Sequence, residues 1–250
     1  MTLSFSIITV TYNASKFLEN TLQSVINQTY NNIEYIIIDG GSKDGTIDII
    51  KNNEPNIKYW ISEPDNGIYD AMNKGLSVAT GDYVCFLNAG DSFQNSSILA
   101  NLAEKLTLGG LSDIIYGETD LVNSNGEKIS ERRLKAPQSL TWKSFRMGMI
   151  VCHQAFIVKR DIAPEYDLQY LFSSDFDWCI RCMKKSGEIV NSKMRLINYL
   201  YEGTTTANRK ASLKERYTIM CKYYGTIPTQ IRHLWFAVRF YYAKVFRNNS

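Results

Sequence analysis

The sequence is short of several things, and each shortage removes a class of protein. Cysteine is scarce and odd in number, five in 250 residues. That argues against a disulfide framework and for a reducing compartment. Cys179 and Cys182 form a C-x-x-C pair, but no second pair completes a zinc site. At i, i+3 on an expected helix, the two read as packing residues. No run approaches the roughly 18 apolar residues that a spanning helix needs. The opening MTLSFSIITV lacks a basic segment ahead of its apolar stretch. It reads as a first strand, not a signal peptide. Two phosphate-binding fingerprints are missing as well. No G-x-G-x-x-G follows the first strand, and no G-x-x-x-x-G-K-[ST] occurs. A dinucleotide-dependent dehydrogenase and a P-loop enzyme are thereby disfavoured. Neither internal repeats nor low-complexity segments are present.

What is present alternates. FSIITVT (5–11) and IEYIIID (33–39) are β-branched, nearly continuous apolar runs. Such runs suit strands of a parallel sheet covered on both faces. Leu18, Leu22, Val25 and Ile26 fall on one helical face, as do Ile68, Ala71, Met72, Gly75, Leu76 and Ala79. A short helix is expected from about Thr46, and further strands at IKYWIS (57–62) and YVCFL (83–87). Alternating strand and helix signals are the mark of βαβ units. After residue 110 the pattern changes. Two strand-like runs flank Asn123-Ser124-Asn125-Gly126, whose Asn-Gly favours a hairpin. AFIVK and MRLINYLY read as strands, and DFDWCIRCMKK as a helix. The expectation is an α/β fold with a mixed, mostly parallel sheet flanked by helices. Residues 1–204 would form one domain in two halves, 1–110 and 111–204, that differ in their strand and helix pattern.

Charge divides the chain differently. The net charge is +3, yet residues 205–250 alone carry +8, which leaves −5 for the remainder. Nine aromatics accompany those cations between Ser212 and Phe246. The region reads as a basic, amphipathic helical extension. Either it caps the preceding domain, or it lies on an anionic membrane surface with aromatics at headgroup depth. The acidic body argues against nucleic acid as a partner.

Polar residues gather where apolar strands stop. Thr11-Tyr12-Asn13, Asp39-Gly40-Gly41 and Asn88-Ala89-Gly90-Asp91 each follow a strand. In a parallel sheet such ends share one rim, where ligands bind. A tyrosine ring can cover a flat base, and Asp39 can accept from a base imide or a ribose hydroxyl. Asp91 is a hard oxygen ligand suited to Mg²⁺ or Mn²⁺.

At these residues the sequence resembles a known family. SIITVTYN, IIIDGGSKDGT, DNGIYDAMNKG, ATGDYVCFLNAGD and SSDFDWCIR are similar, in order and spacing, to the signatures of glycosyltransferase family 2. The resemblance covers roughly residues 4 to 204, and it implies that 1–204 is a catalytic domain with a nucleotide-binding half (1–110) and an acceptor-side half (111–204). It implies a GT-A fold, a nucleotide-sugar donor, a divalent cation (Mn²⁺ or Mg²⁺) and inversion of the anomeric centre. It further implies donor contacts at Thr11, Tyr12, Asn13, Asp39, Gly40, Asn88, Ala89 and Gly90, a metal ligand at Asp91, and a catalytic base at Asp175. Two departures stand out. The family's D-x-D-D crest is Asn88-Ala89-Gly90-Asp91 here, and its double acid after the second strand is Asp39-Gly40.

Other roles stay open on the residues alone. Asp175 can also cap its helix. Asp70 and Lys74 can pair one turn apart, or Lys74 can approach the diphosphate. His153 and Asp177 fall on the expected acceptor side, as contacts or as structural residues. The expected enzyme moves a hexose, from a UDP-sugar, to a lipid-linked or free saccharide in bacterial O-antigen, capsule or exopolysaccharide synthesis. It would be cytoplasmic and peripheral on the inner face of the cell membrane. The alternatives are a sugar-nucleotide nucleotidylyltransferase and a non-catalytic nucleotide-sugar binder.

Overall fold

A computed structural model describes residues 2–201 and 209–247. The strands β1 (Phe5–Thr11), β2 (Ile33–Asp39), β3 (Tyr59–Ser62) and β4 (Tyr83–Phe86) form where the β-branched runs predict them. They pair in parallel in the order β3-β2-β1-β4. All seven residues of β1 are buried. Its alternate side chains feed two cores. Ile8 and Val10 meet Ile36, Ile38, Val84 and Phe86 on one face. Phe5 and Ile7 meet Tyr35, Ile37 and Cys85 on the other. Double-sided burial is why these strands read as unbroken apolar runs.

Helices α1 (Leu18–Ile26), α2 (Thr46–Asn52), α3 (Ile68–Val78) and α4 (Ile98–Leu108) connect or flank these strands. Helix α3 presses closest. A Cβ at Gly75 would stand 2.4 Å from Ile8 Cγ2, so the glycine sets the helix–sheet distance.

The sheet does not stop at residue 110. Strand β8 (Phe156–Lys159) pairs antiparallel with both β4 and β6 (Ile114–Val122), and β9 (Ile189–Leu200) runs parallel to β6. One sheet therefore crosses the expected boundary between halves. The Asn-Gly hairpin joins β6 to β7 (Lys128–Glu131). A two-residue strand with no sequence signal, β5 (Ser92–Phe93), pairs with β9. That pairing brings the crest after β4 against the end of β9. Cys179 and Cys182 lie in the core on α5 (Ser174–Lys185), as packing residues.

Residues 209–247 form two helices. Helix α6 (Arg209–Tyr224) packs on the body: Ile219 and Met220 are buried, and Glu215 accepts from the backbone N–H groups of Leu171 and Phe172. Helix α7 (Thr226–Arg247) follows after Gly225. No helix among the described residues is long and apolar enough to cross a membrane.

Candidate active site

The parallel register decides which residues meet. Thr11 stands beside Asp39, and Asp39 beside Ser62, at the carboxyl ends of β1, β2 and β3. Asn88 follows β4 at the same rim. A cleft of about 460 Å³ opens over it, lined among others by Thr11, Tyr12, Asn13, Asp65, Asn88 and Asp91. Tyr12 is 66% exposed and Asn13 takes a left-handed backbone (φ 48°). Asn13 is braced at both ends: its N–H donates to Ser42 Oγ and its Oδ1 accepts from the Lys43 N–H. This bracing fixes the β1 turn, so Tyr12 projects as a platform beside the cleft.

Asp39 does not face the cleft. It is fully buried. Its Oδ2 accepts from the N–H groups of Gly41 and Ser42 and from Ser62 Oγ, while the Ser42 hydroxyl donates to Oδ1. Three donors crowd Oδ2, and Oδ1, with its one donor, is buried away from the cleft lining. The carboxylate expected to read the nucleotide instead holds the GGS turn in shape.

Another acid stands in the vacated place. A Cβ at Gly40 would come within 2.5 Å of Asp65 Oδ2 and 3.3 Å of the Tyr12 ring. The space that the family's second acid would use is thus taken by Asp65, reaching across from the loop before α3. Asp65 Oδ1 accepts from the Gly67 N–H, which orients the other oxygen toward Gly40. Asp65 belongs to the DNGIYDAMNKG segment, yet only the structure shows where it points. Asp70 and Lys74, from the same segment, brace that loop. Asp70 Oδ2 accepts from the Asn66 N–H at 2.9 Å, and Lys74 pairs with Glu63 at 2.8 Å. The second of the two readings left open for Lys74, an approach to the diphosphate, is not the one seen.

The crest follows a similar logic. Gly90 has φ +101°, and a Cβ there would lie 2.7 Å from Leu200 Cδ2. A second acid is therefore excluded at this position by strain and by contact. Asp91 is buried at the cleft floor. Its Oδ1 accepts from the Leu200 N–H and its Oδ2 from Gln154 Nε2, both at 2.9 Å. Burial pushes its carboxyl up to about 7, against the lowering effect of those two bonds. The carboxylate expected to hold a cation thus ties the crest to β9 and to the turn before β8. Mg²⁺ is usually held by one or two carboxylates together with substrate phosphates, and here the crest's single carboxylate is buried with both oxygens engaged. Among the described residues no group of three His, Cys, Asp or Glu could hold a metal. As folded, the crest does not fit the implied ion.

Past the crest lies a second cavity of about 250 Å³, which shares Asn88, Gln154 and Tyr199 with the cleft. Asp175 enters it from the first turn of α5. The Tyr69 hydroxyl donates to Asp175 Oδ1 at 3.1 Å, and the Phe176 N–H also donates to that oxygen. A column of rings supports Tyr69: it stacks on Tyr166, whose hydroxyl meets His153 Nε2 at 2.6 Å. His153 borders the cavity but is 4% exposed, between Phe86 and Trp178. Burial depresses its pKa to about 4, so it is neutral at pH 7. Its Nε2 is taken up by the Tyr166 hydroxyl.

Asp177, two residues from Asp175, points the other way. It is fully buried and receives Arg181, Lys222 and the Tyr223 hydroxyl. It bolts α6 to α5 and has no access to an acceptor.

Three orphaned polar atoms border these cavities. Thr11 Oγ1, Asn88 Oδ1 and Arg216 Nε are buried without a hydrogen-bond partner. Buried polar groups are nearly always paired, so orphans lining one rim point to a polar ligand. Arg216, Arg132, Asp65, Tyr69 and Gln154 were not singled out by sequence reasoning. Gln154 adjoins His153 in CHQAF, and Arg132 follows the hairpin, but neither position signals a cavity.

Comparison with known proteins agrees with this geometry. Residues 6–166 match the family model "Glycosyl transferase family 2". A PGL/p-HBAD biosynthesis glycosyltransferase of Mycobacterium bovis is 34% identical over 188 residues, covering 71% of this chain and 69% of the relative. The amylovoran biosynthesis glycosyltransferase AmsB of Erwinia amylovora is 30% identical over 210 residues, covering 79% and 69%. Among solved structures, S. aureus TarS in complex with UDP-GlcNAc superposes with a TM-score of 0.69 at 19% identity. That match covers 87% of this chain but only 64% of the solved one. At such identity the likeness shows a shared fold, the GT-A fold.

Proposed function

The chain belongs to glycosyltransferase family 2, and from that premise we propose that it moves a hexose from a UDP-sugar to a saccharide hydroxyl, with inversion. One observation carries the reading. A single rim joins a base-sized end at Tyr12 and Asp65, a polar crest at Asn88, and a carboxylate at Asp175. A nucleotide laid along it puts its sugar beside Asp175.

The chemistry follows from what Asp175 keeps free. Tyr69 and the Phe176 N–H engage only Oδ1. Oδ2 can then take the proton of an acceptor hydroxyl as the oxygen attacks the anomeric carbon. The bond to the diphosphate breaks on the opposite face, so one displacement inverts the centre. Family membership disfavours the nucleotidylyltransferase alternative. The free oxygen of Asp175 argues against a mere binder.

At the base end, Asp65 can accept the imide N–H of uracil while Tyr12 covers the ring. A hydrogen bond to a charged group contributes about 1.5–3 kcal/mol. Asp65→Ala should therefore weaken UDP binding by roughly 10- to 150-fold by that same measure. Titration calorimetry with UDP, and with GDP as control, measures it. An unchanged UDP affinity would remove Asp65 from the base subsite, and no wild-type UDP binding would overturn the donor assignment.

The acceptor is proposed to be lipid-linked, in surface-polysaccharide assembly at the inner face of the cell membrane. Helix α7 supports this. Ile227, Ile231, Leu234, Trp235 and Val238 are all exposed and fall on one face. Together with the basic tail, such a stripe suits peripheral contact with anionic lipid, where each cation near the surface adds about 1 kcal/mol. Ile231→Ser, Leu234→Ser and Trp235→Ser combined should abolish co-sedimentation with phosphatidylglycerol vesicles at high salt, where only the apolar term survives. Equal sedimentation of variant and wild type would return the stripe to another role.

A further inference from the structure

The cavity beyond the crest holds more positive charge than the reading above has used. Arg132, just after β7, and Arg216, on α6, both line it. Arg132 spends one N–H on the Met149 carbonyl. Arg216 Nε is buried without any partner. Neither guanidinium forms an ion pair among the described residues. Among the described residues Asp175 is the only acid lining the cavity. Both arginine side chains are half-buried, and two guanidinium groups without an ion pair beside one cavity leave N–H donors available for an anion.

The cavity lies next to the donor cleft, with Asn88, Gln154 and Tyr199 in the lining of both. The charge that grows there during transfer is on the leaving group. The acceptor oxygen bonds to the anomeric carbon, and its proton goes to Asp175. The anomeric carbon–oxygen bond breaks, and its electron pair stays on the terminal phosphate oxygen. In a metal-assisted site a cation meets that charge. Here Gly90 cannot bear a side chain, and both oxygens of Asp91 are engaged.

We propose that Arg216, assisted by Arg132, binds the phosphate oxyanion of the departing nucleoside diphosphate, in the role the crest does not equip a metal to fill. The inference rests on the glycosyl-transfer reading. Guanidinium suits it, because its fixed fork of N–H donors matches phosphate geometry and its charge does not titrate. An acceptor-borne phosphate has the same chemistry, but the wall that the cavity shares with the donor cleft, Asn88 included, favours the donor.

Titration of the full chain with UDP and with uridine, both in EDTA, tests this. Wild type should bind UDP in EDTA, with less than about a threefold gain on adding Mn²⁺, well under one charge-assisted hydrogen bond. Arg216→Gln should weaken UDP at least about tenfold, the loss of one such bond, and leave uridine unchanged. Arg216→Lys should recover part of it. Arg132→Gln should show a smaller loss of the same selectivity, and it stands in if the Arg216 variant does not fold. The proposal is overturned if UDP affinity in both variants equals wild type, which would leave the cavity to an acceptor phosphate. It is overturned too if wild-type UDP binding vanishes in EDTA and returns with Mn²⁺. Failure of UDP to bind wild type under both conditions would refute the donor reading itself.

Discussion

Asp175→Asn should leave a folded protein that binds UDP normally and turns over about 10²- to 10⁴-fold more slowly, the usual contribution of a positioned general base. The substitution separates two roles of one residue. Asparagine keeps an oxygen for the Tyr69 hydroxyl and for the Phe176 N–H, so the start of α5 is preserved. It has no basic oxygen to receive the acceptor's proton. Single-turnover rates with a radiolabelled UDP-sugar and a saccharide acceptor measure the loss, and a UDP titration in parallel confirms an intact donor site. Near-wild-type turnover would reduce Asp175 to a helix cap.

The second large effect is on stability. Asp177→Ala should lower the melting temperature while leaving turnover per folded molecule unchanged. Asp177 sits fully buried beneath two cations and a phenol, Arg181 at 2.5 Å, Lys222 at 3.2 Å and Tyr223 at 2.8 Å. Removing one partner of a buried pair typically costs about 3–5 kcal/mol. The lower end applies here, because Arg181 and Lys222 keep partial access to water. For a chain of this size about 3 kcal/mol corresponds to roughly 6–12 °C. Calorimetry on the variant reads it. A melting temperature within about 1 °C of wild type would mean that the α5–α6 bolt contributes little. A loss of turnover in folded protein would restore an acceptor role to Asp177.

The contrast between Asp175 and Asp177 shows where reading a sequence stops. Both belong to SSDFDW, both are acids in the first turn of α5, and both suit catalysis by residue type. On a helix two positions lie about 200° apart. One carboxylate therefore meets the cavity and the other meets α6. Which is which depends on where α6 docks, and no local pattern states that. Asp39 and Asp65 make the same point. Asp39 ends a strand that announces itself, yet three donors in the following turn and a fourth from Ser62 at the end of β3 engage its oxygens. Asp65 lies in a loop without periodicity, yet it fills the space beside Gly40.

What the sequence determined by itself is the scaffold. Periods of 2 and 3.6 are properties of the chain, and burial on both faces forces unbroken apolar strands. So β1 to β4, α3, the hairpin and α5 were legible, along with the rim where polar residues collect. The ordered segments also carried the family, because each signature spans few residues and needs no distant partner. Tertiary structure decided the chemistry of that rim. The two-residue strand β5 has no local signal, but its pairing with β9 places Leu200 over Gly90 and its N–H on Asp91. Arg132 and Arg216 are 84 positions apart and meet only because β7 and α6 both flank the cavity. A carboxylate is a ligand, a base or a brace according to the donors around its oxygens, and those donors come from segments that local sequence does not bring together.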